Sequence, residues 1–225
     1  MSRATSPEKT RPAEVVREYG PFPEVDHVRG VTFDGASVWF AAGDHLQAFD
    51  PETGDVGKTL PVSARAGTAF DGQHLYQVSG DVIQKLDPSS GAVLGTLAVP
   101  PGEGHAAGLT WAEGTLWLAR HEARRIQQLD PITGRVLRTL DSPRFVTGVT
   151  FTDGELWHGT WEDDDSDLRR IDPTTGELLE CLTMPTGAVV TGLECDGGSL
   201  FYCGGGASGK VRAVRRPRGL PSDRS

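Results

Sequence analysis

His27 stands three residues before Gly30, and His105 stands three residues before Gly108. Imidazole titrates nearer neutrality than any other unperturbed side chain, so two histidines brought to one rim could take and return a proton. Glu162 is a third group suited to that work. It opens the run Glu162-Asp163-Asp164-Asp165-Ser166-Asp167, where five carboxylates in six residues could also collect oxygen ligands for Ca²⁺ or Mg²⁺. The spacing is not that of an EF-hand and fixes no metal ligand; a divalent ion is the only cofactor the sequence suggests. Groups that could hold a substrate fall near the same places. Arg29, Thr147 and Thr191 each immediately precede a glycine, and Phe145 lies three residues before Gly148. Trp161 sits in one loop and His121 in another, beside Arg120 and Glu122, while His158 is on the strand leading to Trp161. An arginine among small neighbours suits an anionic ligand, and a tryptophan suits stacking. Loop histidines and acidic runs are also commonly just solvated. No nucleophile elbow, P-loop or dinucleotide fingerprint occurs.

The glycines that frame these residues belong to a repeat. Gly30, Gly67, Gly108, Gly148 and Gly192 recur at intervals of about 40 residues, each opening a unit of the same pattern. A short apolar strand ends at an Asp-Gly pair, as in Asp34-Gly35, Asp71-Gly72 and Asp153-Gly154, which suits a tight hairpin. The second strand carries an aromatic residue, giving the series Trp39, Tyr76, Trp117, Trp157 and Phe201, read as packing between units. A third strand runs into an Asp-Pro turn closed by glycine, at 50–54, 130–134 and 172–176 and again at 87–91, and a fourth follows. Four short strands in a unit of this length predict an all-β fold, a five-bladed β-propeller of antiparallel four-stranded blades. The fifth unit, 189–216, holds only three strands, and residues 14–19 read as the missing fourth. The N-terminal strand is therefore expected to complete the last blade, which removes two open sheet edges. In an up-and-down blade both repeated turns share one face. The other face carries loops that differ between units, including 120–124 and 160–167, and the site is expected there.

Residues 13–216 are expected to form the single propeller domain, with a disordered segment at 1–12 and a flexible tail at 217–225. Arg3, Lys9 and Arg11 are followed by no apolar run, which predicts no signal peptide, and no stretch is apolar enough to span a membrane. Cys181, Cys195 and Cys203 have no metal-binding spacing; free thiols fit a reducing, cytoplasmic setting. A formal net charge of −9 argues against a nucleic-acid surface. The expected partner is a small-molecule ligand, with neither nucleic acid nor membrane.

Three pieces go beyond the general pattern: His27-Val28-Arg29-Gly30-Val31, Gly108-Leu109-Thr110-Trp111, and Leu156-Trp157-His158-Gly159-Thr160-Trp161 followed by Arg170-Ile171-Asp172-Pro173-Thr174-Thr175-Gly176. With the repeats around them, they resemble the plant-type glutaminyl-peptide cyclotransferases, which are five-bladed propellers. The resemblance implies cyclisation of N-terminal glutamine, with a channel glutamate as proton shuttle and tryptophans around the substrate. The family's glutamate falls here on Ala66, its blade 1 glutamine on Arg29, its blade 3 tryptophan on Ala107, and its blade 4 asparagine near Thr147. Its blade 4 loop tryptophan is matched by Trp161. With the shuttle position replaced, a different reaction is expected. The leading expectation is an enzyme of lyase, cyclase or isomerase type, with His105, His27 or Glu162 moving protons in an axial funnel. The alternative is a non-catalytic ligand-binding or protein-interaction propeller, and glutaminyl cyclisation comes third.

Overall fold

The computed structural model describes residues 10–217. Two strands, β1 (Thr10–Pro12) and β2 (Val15–Tyr19), precede the first repeat. Blade 1 then runs outward from the axis as β3 (Val31–Phe33), β4 (Val38–Ala41), β5 (Leu46–Phe49) and β6 (Val56–Leu60). Blade 2 is β7 (Thr68–Phe70), β8 (Leu75–Ser79), β9 (Val82–Leu86) and β10 (Val93–Ala98). Blade 3 is β11 (Ala106–Ala112), β12 (Thr115–Arg120), β13 (Arg125–Leu129) and β14 (Val136–Asp141). Blade 4 is β15 (Val146–Thr152), β16 (Glu155–Glu162), β17 (Asp165–Ile171) and β18 (Leu178–Thr183). Blade 5 contributes β19 (Gly192–Cys195), β20 (Leu200–Gly204) and β21 (Val211–Arg215), and β2 completes it from the other end of the chain. The β2–β21 pairing runs antiparallel from Val15↔Val214 to Tyr19↔Val211. The fold is a five-bladed β-propeller closed by its own N-terminal strand. Among the described residues no helix is long and apolar enough to cross a membrane.

The repeated glycines set the width of the ring. A Cβ on Gly30, Gly67, Gly108, Gly148 or Gly192 would lie between 2.3 and 2.6 Å from the backbone of the next inner strand. The last of these contacts, from Gly192 to the Arg29 carbonyl, joins blade 5 to blade 1. Backbone therefore packs on backbone all the way round, and no residue with a side chain fits.

Farther out, apolar clusters fill each joint between blades. Trp39 packs with Leu75 and Leu86 of blade 2, Tyr76 with Leu109 and Leu129 of blade 3, Trp117 with Val149 and Ile171 of blade 4, and Trp157 with Leu193 and Phe201 of blade 5. The fifth member of the aromatic series needs correction. Tyr202, not Phe201, pairs with the second residue after the repeated glycine, as the other four do. Tyr202 packs towards blade 1, against Phe33, while Phe201 turns back to blade 4. A shift of one residue along a strand exchanges the two faces of the sheet.

A second set of contacts girdles the outer strands. Arg17, Lys58 and Arg138 occupy one register position on the outer strands of blades 5, 1 and 3. Each donates to the carbonyl of the proline in the next blade's Asp-Pro turn: Arg17 to Pro51 at 3.1 Å, Lys58 to Pro88 at 2.6 Å, and Arg138 to Pro173. In blade 2 the same position is Gly95, opposite Lys85, and among the described residues the Pro131 turn has no such clasp. Blade 4 has Glu180 there, held by Arg11. That joint faces no Asp-Pro turn, and β1 lies parallel along β18 in its place, pairing Thr10 with Cys181 and Pro12 with Thr183. Residues 10–12, expected within a disordered segment, are thus an extra fifth strand of blade 4. All three cysteines are buried and unpaired. Of the tail expected at 217–225, all but Pro217 lies outside the described residues.

Candidate functional site

The residues just before the ring glycines come together. Arg29, Ala66, Ala107, Thr147 and Thr191, one from each blade, all line a cavity of about 260 Å³ at one end of the axis. Its wall is finished by Arg65, by His105 and Ala106 entering blade 3, by His121 and Glu122 in the loop after β12, and by Trp161 near the end of β16. The last three lie where a second strand passes into a third, so the cavity opens on the face away from the repeated turns.

His105 is held rather than merely solvated. Its Nδ1 lies 2.6 Å from Glu122 Oε1, and its amide donates to Glu122 Oε2 at 2.9 Å. Gly104 makes the approach possible: its φ is +72°, and a Cβ there would stand 2.8 Å from the Ala123 amide nitrogen. Burial raises the Glu122 carboxyl, but hydrogen bonds from the His105 amide and its own, with the two nearby histidines, outweigh this and hold it below the usual range. An ionised carboxylate facing Nδ1 keeps the proton there and leaves the Nε2 lone pair available. His121 is fixed in the same tautomer, because its Nδ1 lies 3.0 Å from the Val146 carbonyl, which can only accept. The two imidazoles are neighbours, with ring centroids 5.5 Å apart.

The remaining assignments divide. Trp161 lines the cavity with 39% of its surface exposed. It lies on a strand and not in a loop, because β16 and β17 run to a two-residue turn at Asp163-Asp164, both with positive φ. Thr147 and Thr191 line the cavity without offering it a hydroxyl. Thr191 Oγ1 donates to the Val28 carbonyl at 2.6 Å, and Thr147 Oγ1 is buried near the Gly159 backbone. Phe145 stands behind the wall, between His121 (5.0 Å between centroids) and the Arg124 guanidinium (4.5 Å). His27 is exposed and apart from the cavity lining. His158 is fully buried within blade 4, where desolvation and the charge of Arg169 push its titration down to about 4. Glu162 does not reach the cavity, because Arg124 Nη2 at 2.5 Å and Arg144 Nε at 3.5 Å hold its carboxylate. Asp167, at the other end of the acidic run, is bound by Arg144, Arg169 and Thr160. Among the described residues no group of three His, Cys, Asp or Glu is arranged to hold a metal ion.

Two features went unassigned in the sequence. Arg65 precedes Ala66 and joins the cavity from one position farther back than the ring the repeat picks out. Glu194, the second residue after Gly192, is half-buried on the axis. Oε2 accepts from Thr32 at 3.1 Å and Thr110 at 3.3 Å, while Oε1 accepts from Thr150 and, at 3.0 Å, from the Cys195 amide. Those threonines hold the same position in blades 1, 3 and 4, so a carboxyl bonded to all three sits at the centre of the channel. It lies three residues along the strand from the cavity wall, roughly 10 Å deeper. Aligning the repeats at that position gives Thr32, Ala69, Thr110, Thr150 and Glu194, and the odd member is the signal that would have found it.

The chain matches no protein-family profile and no curated protein sequence. Among solved structures it is similar to the glutaminyl cyclase of Myxococcus xanthus, with a TM-score of 0.74 and 19% identity over 92% of this chain and 97% of that one. It is also similar to the β-propeller domain of Myceliophteria thermophila Cps50 (Swd1), with a TM-score of 0.57, 11% identity, and coverage of 92% and 100%. The WD40 β-propeller domain of Doa1 gives a TM-score of 0.52 at 18% identity, covering 84% of this chain and 63% of that one. Likeness at these identities concerns the fold.

Proposed function

We propose that the protein is an acid–base enzyme acting on a small molecule in the axial cavity, a lyase, cyclase or isomerase in reaction type, with His105 as the proton-transferring group. The observation that carries this reading is the Glu122–His105 pair at 2.6 Å in the wall of a cavity one small molecule can fill. A base must be oriented, must keep a lone pair free, and must face the substrate. Glu122 supplies the first two conditions, and the position of His105 in the cavity wall supplies the third. Trp161 gives a flat apolar surface for the substrate body. His121, beside His105 and with its Nδ1 proton held by the Val146 carbonyl, serves as the partner acid in its doubly protonated form.

Likeness to a glutaminyl cyclase favours a second reading, cyclisation of an N-terminal glutamine, with Trp161 kept and the Glu122–His105 pair as proton shuttle in place of the residue lost at Ala66. It ranks second because two arginines in the wall oppose the α-ammonium group of such a substrate. One experiment tests both. Purified protein is incubated in D₂O with a small-molecule metabolite extract, and separately with a glutaminyl dipeptide, and products are followed by mass spectrometry. The leading reading expects at least one metabolite to gain deuterium or change mass, at a rate falling about 10²-fold or more in His105→Asn. Wild-type protein that alters nothing beyond what His105→Asn alters contradicts it. Rapid conversion of the dipeptide would select the second reading.

A further inference from the structure

We infer that the cavity is an oxyanion site: its ligand is a small organic anion whose carboxylate or phosphate is gripped by Arg29 and Arg65. This rests on the cavity being the ligand site proposed above, and adds the class of ligand. Positive charge is left unpaired at few places among the described residues. The protein carries a formal net charge of −9, and its cations are correspondingly well occupied. Among the described residues nearly every lysine and arginine makes a side-chain hydrogen bond or an ion pair, including exposed ones such as Arg125 with Asp141 and Arg215 with Glu14. Arg29, Arg65 and Arg135 are the described exceptions. Arg135 lies at the end of an Asp-Pro turn on the opposite face, near Asp130. The other two line the same cavity, Arg65 within electrostatic reach of the exposed Asp44 but not bonded to it.

They enter it from neighbouring blades, Arg29 from blade 1 and Arg65 from blade 2, so both forks can address one ligand group. Among the described residues the only carboxylate in the cavity wall is Glu122, and it is occupied by His105. The threonine hydroxyls are turned to the backbone, so the polar groups offered to a ligand are guanidinium and imidazole nitrogens. Two guanidinium groups without acceptors make a planar, fixed-charge receptor for an oxyanion and a poor one for an ammonium ion. Trp161 then takes the apolar or planar remainder, with His105 beside it.

Ligand-observed NMR titration tests this with four one-ring probes: benzoate, phenyl phosphate, benzyl alcohol and benzylamine. At least one of the two anions should bind about tenfold or more tightly than the alcohol and the amine, and weaken as salt is added. The better anion identifies the oxyanion. Arg29→Gln and Arg65→Gln should each weaken that probe several-fold, and the double variant should lose about tenfold or more. Arg135→Gln should leave it unchanged, and thermal melts confirm that each variant is folded. Binding of the alcohol or amine as tightly as the anions, wild-type affinity in the double variant, or no saturable binding of either anion overturns the inference. Its failure is separable from that of the catalytic reading. A protein that loses turnover in His105→Asn yet shows no preference for anions refutes only the oxyanion site, and one that binds anions without turnover refutes only the enzyme.

Discussion

Partial burial of Glu194 disfavours its carboxylate by more than three threonine hydroxyls and one amide recover. Desolvation raises its titration from 4.5 to about 7, although every hydrogen bond it accepts pulls the other way. The consequence for stability has a definite sign. Between those two values the folded protein holds a proton that the unfolded chain has released, so this group's contribution is fully present below about pH 4.5 and is lost as pH rises through 7. Glu194→Gln keeps the size and the hydrogen-bonding capacity while removing the charge. At pH 8 the variant is expected to be more stable than the parent by up to about 3 kcal/mol, with the difference shrinking towards pH 4.5. Denaturant unfolding at both pH values checks this. Parallel curves would mean that the axial carboxyl is solvated. His105, by contrast, depends on its neighbour for orientation and not on burial, since 66% of its side chain is exposed.

The girdle of outer-strand clasps is a property of elements. Three basic residues at one register position tie three blades to the next Asp-Pro turn, and Gly95 leaves the joint between blades 2 and 3 untied. Nothing lies within 4 Å of where a Cβ on Gly95 would project. Gly95→Arg is therefore expected to reach the Pro131 carbonyl and to stabilise the protein by about 1 kcal/mol, from one charge-assisted hydrogen bond and a stiffer unfolded chain. Unchanged or lower stability in denaturant unfolding would show that the three natural clasps follow from blade packing and do not contribute to it. Elements were the most legible level of this sequence. Strand order, turn chemistry and closure by the N-terminal strand follow from patterns repeated unit by unit. The errors fell where a unit departs from the repeat. Phe201 and Tyr202 are adjacent aromatics, and only pairing shows which faces which blade. β1 answers the missing turn beside blade 4, an absence that no local pattern announces.

At the scale of the whole molecule, the two faces of the propeller differ. One end carries the repeated turns. The other carries the irregular loops around a cavity built from all five blades. The ring glycines made the mouth of that cavity legible, since Arg29, Thr147 and Thr191 all line it. They could not say which loop side chains turn inward. Glu162 is drawn off by two arginines, His158 is buried within its sheet, and His27 stays outside, whereas Glu122 reaches His105. Such choices depend on competition between distant partners, and spacing along the chain does not record them. The cavity also gathers positive charge in an acidic protein, and that concentrates attraction for an anion at a single mouth.

His105 must present a bare Nε2 to the cavity to act as the base, and imidazole tautomers can be read directly. Long-range ¹H–¹⁵N NMR of ¹⁵N-labelled protein, at a pH where the imidazoles are neutral and with His105→Asn supplying the assignment, reports which nitrogen carries the proton. The predicted result is Nδ1–H with unprotonated Nε2 for His105, shifting towards the Nε2–H form in Glu122→Ala. An Nε2–H tautomer in the native protein, or a spectrum indifferent to the loss of Glu122, would contradict the proposed chemistry.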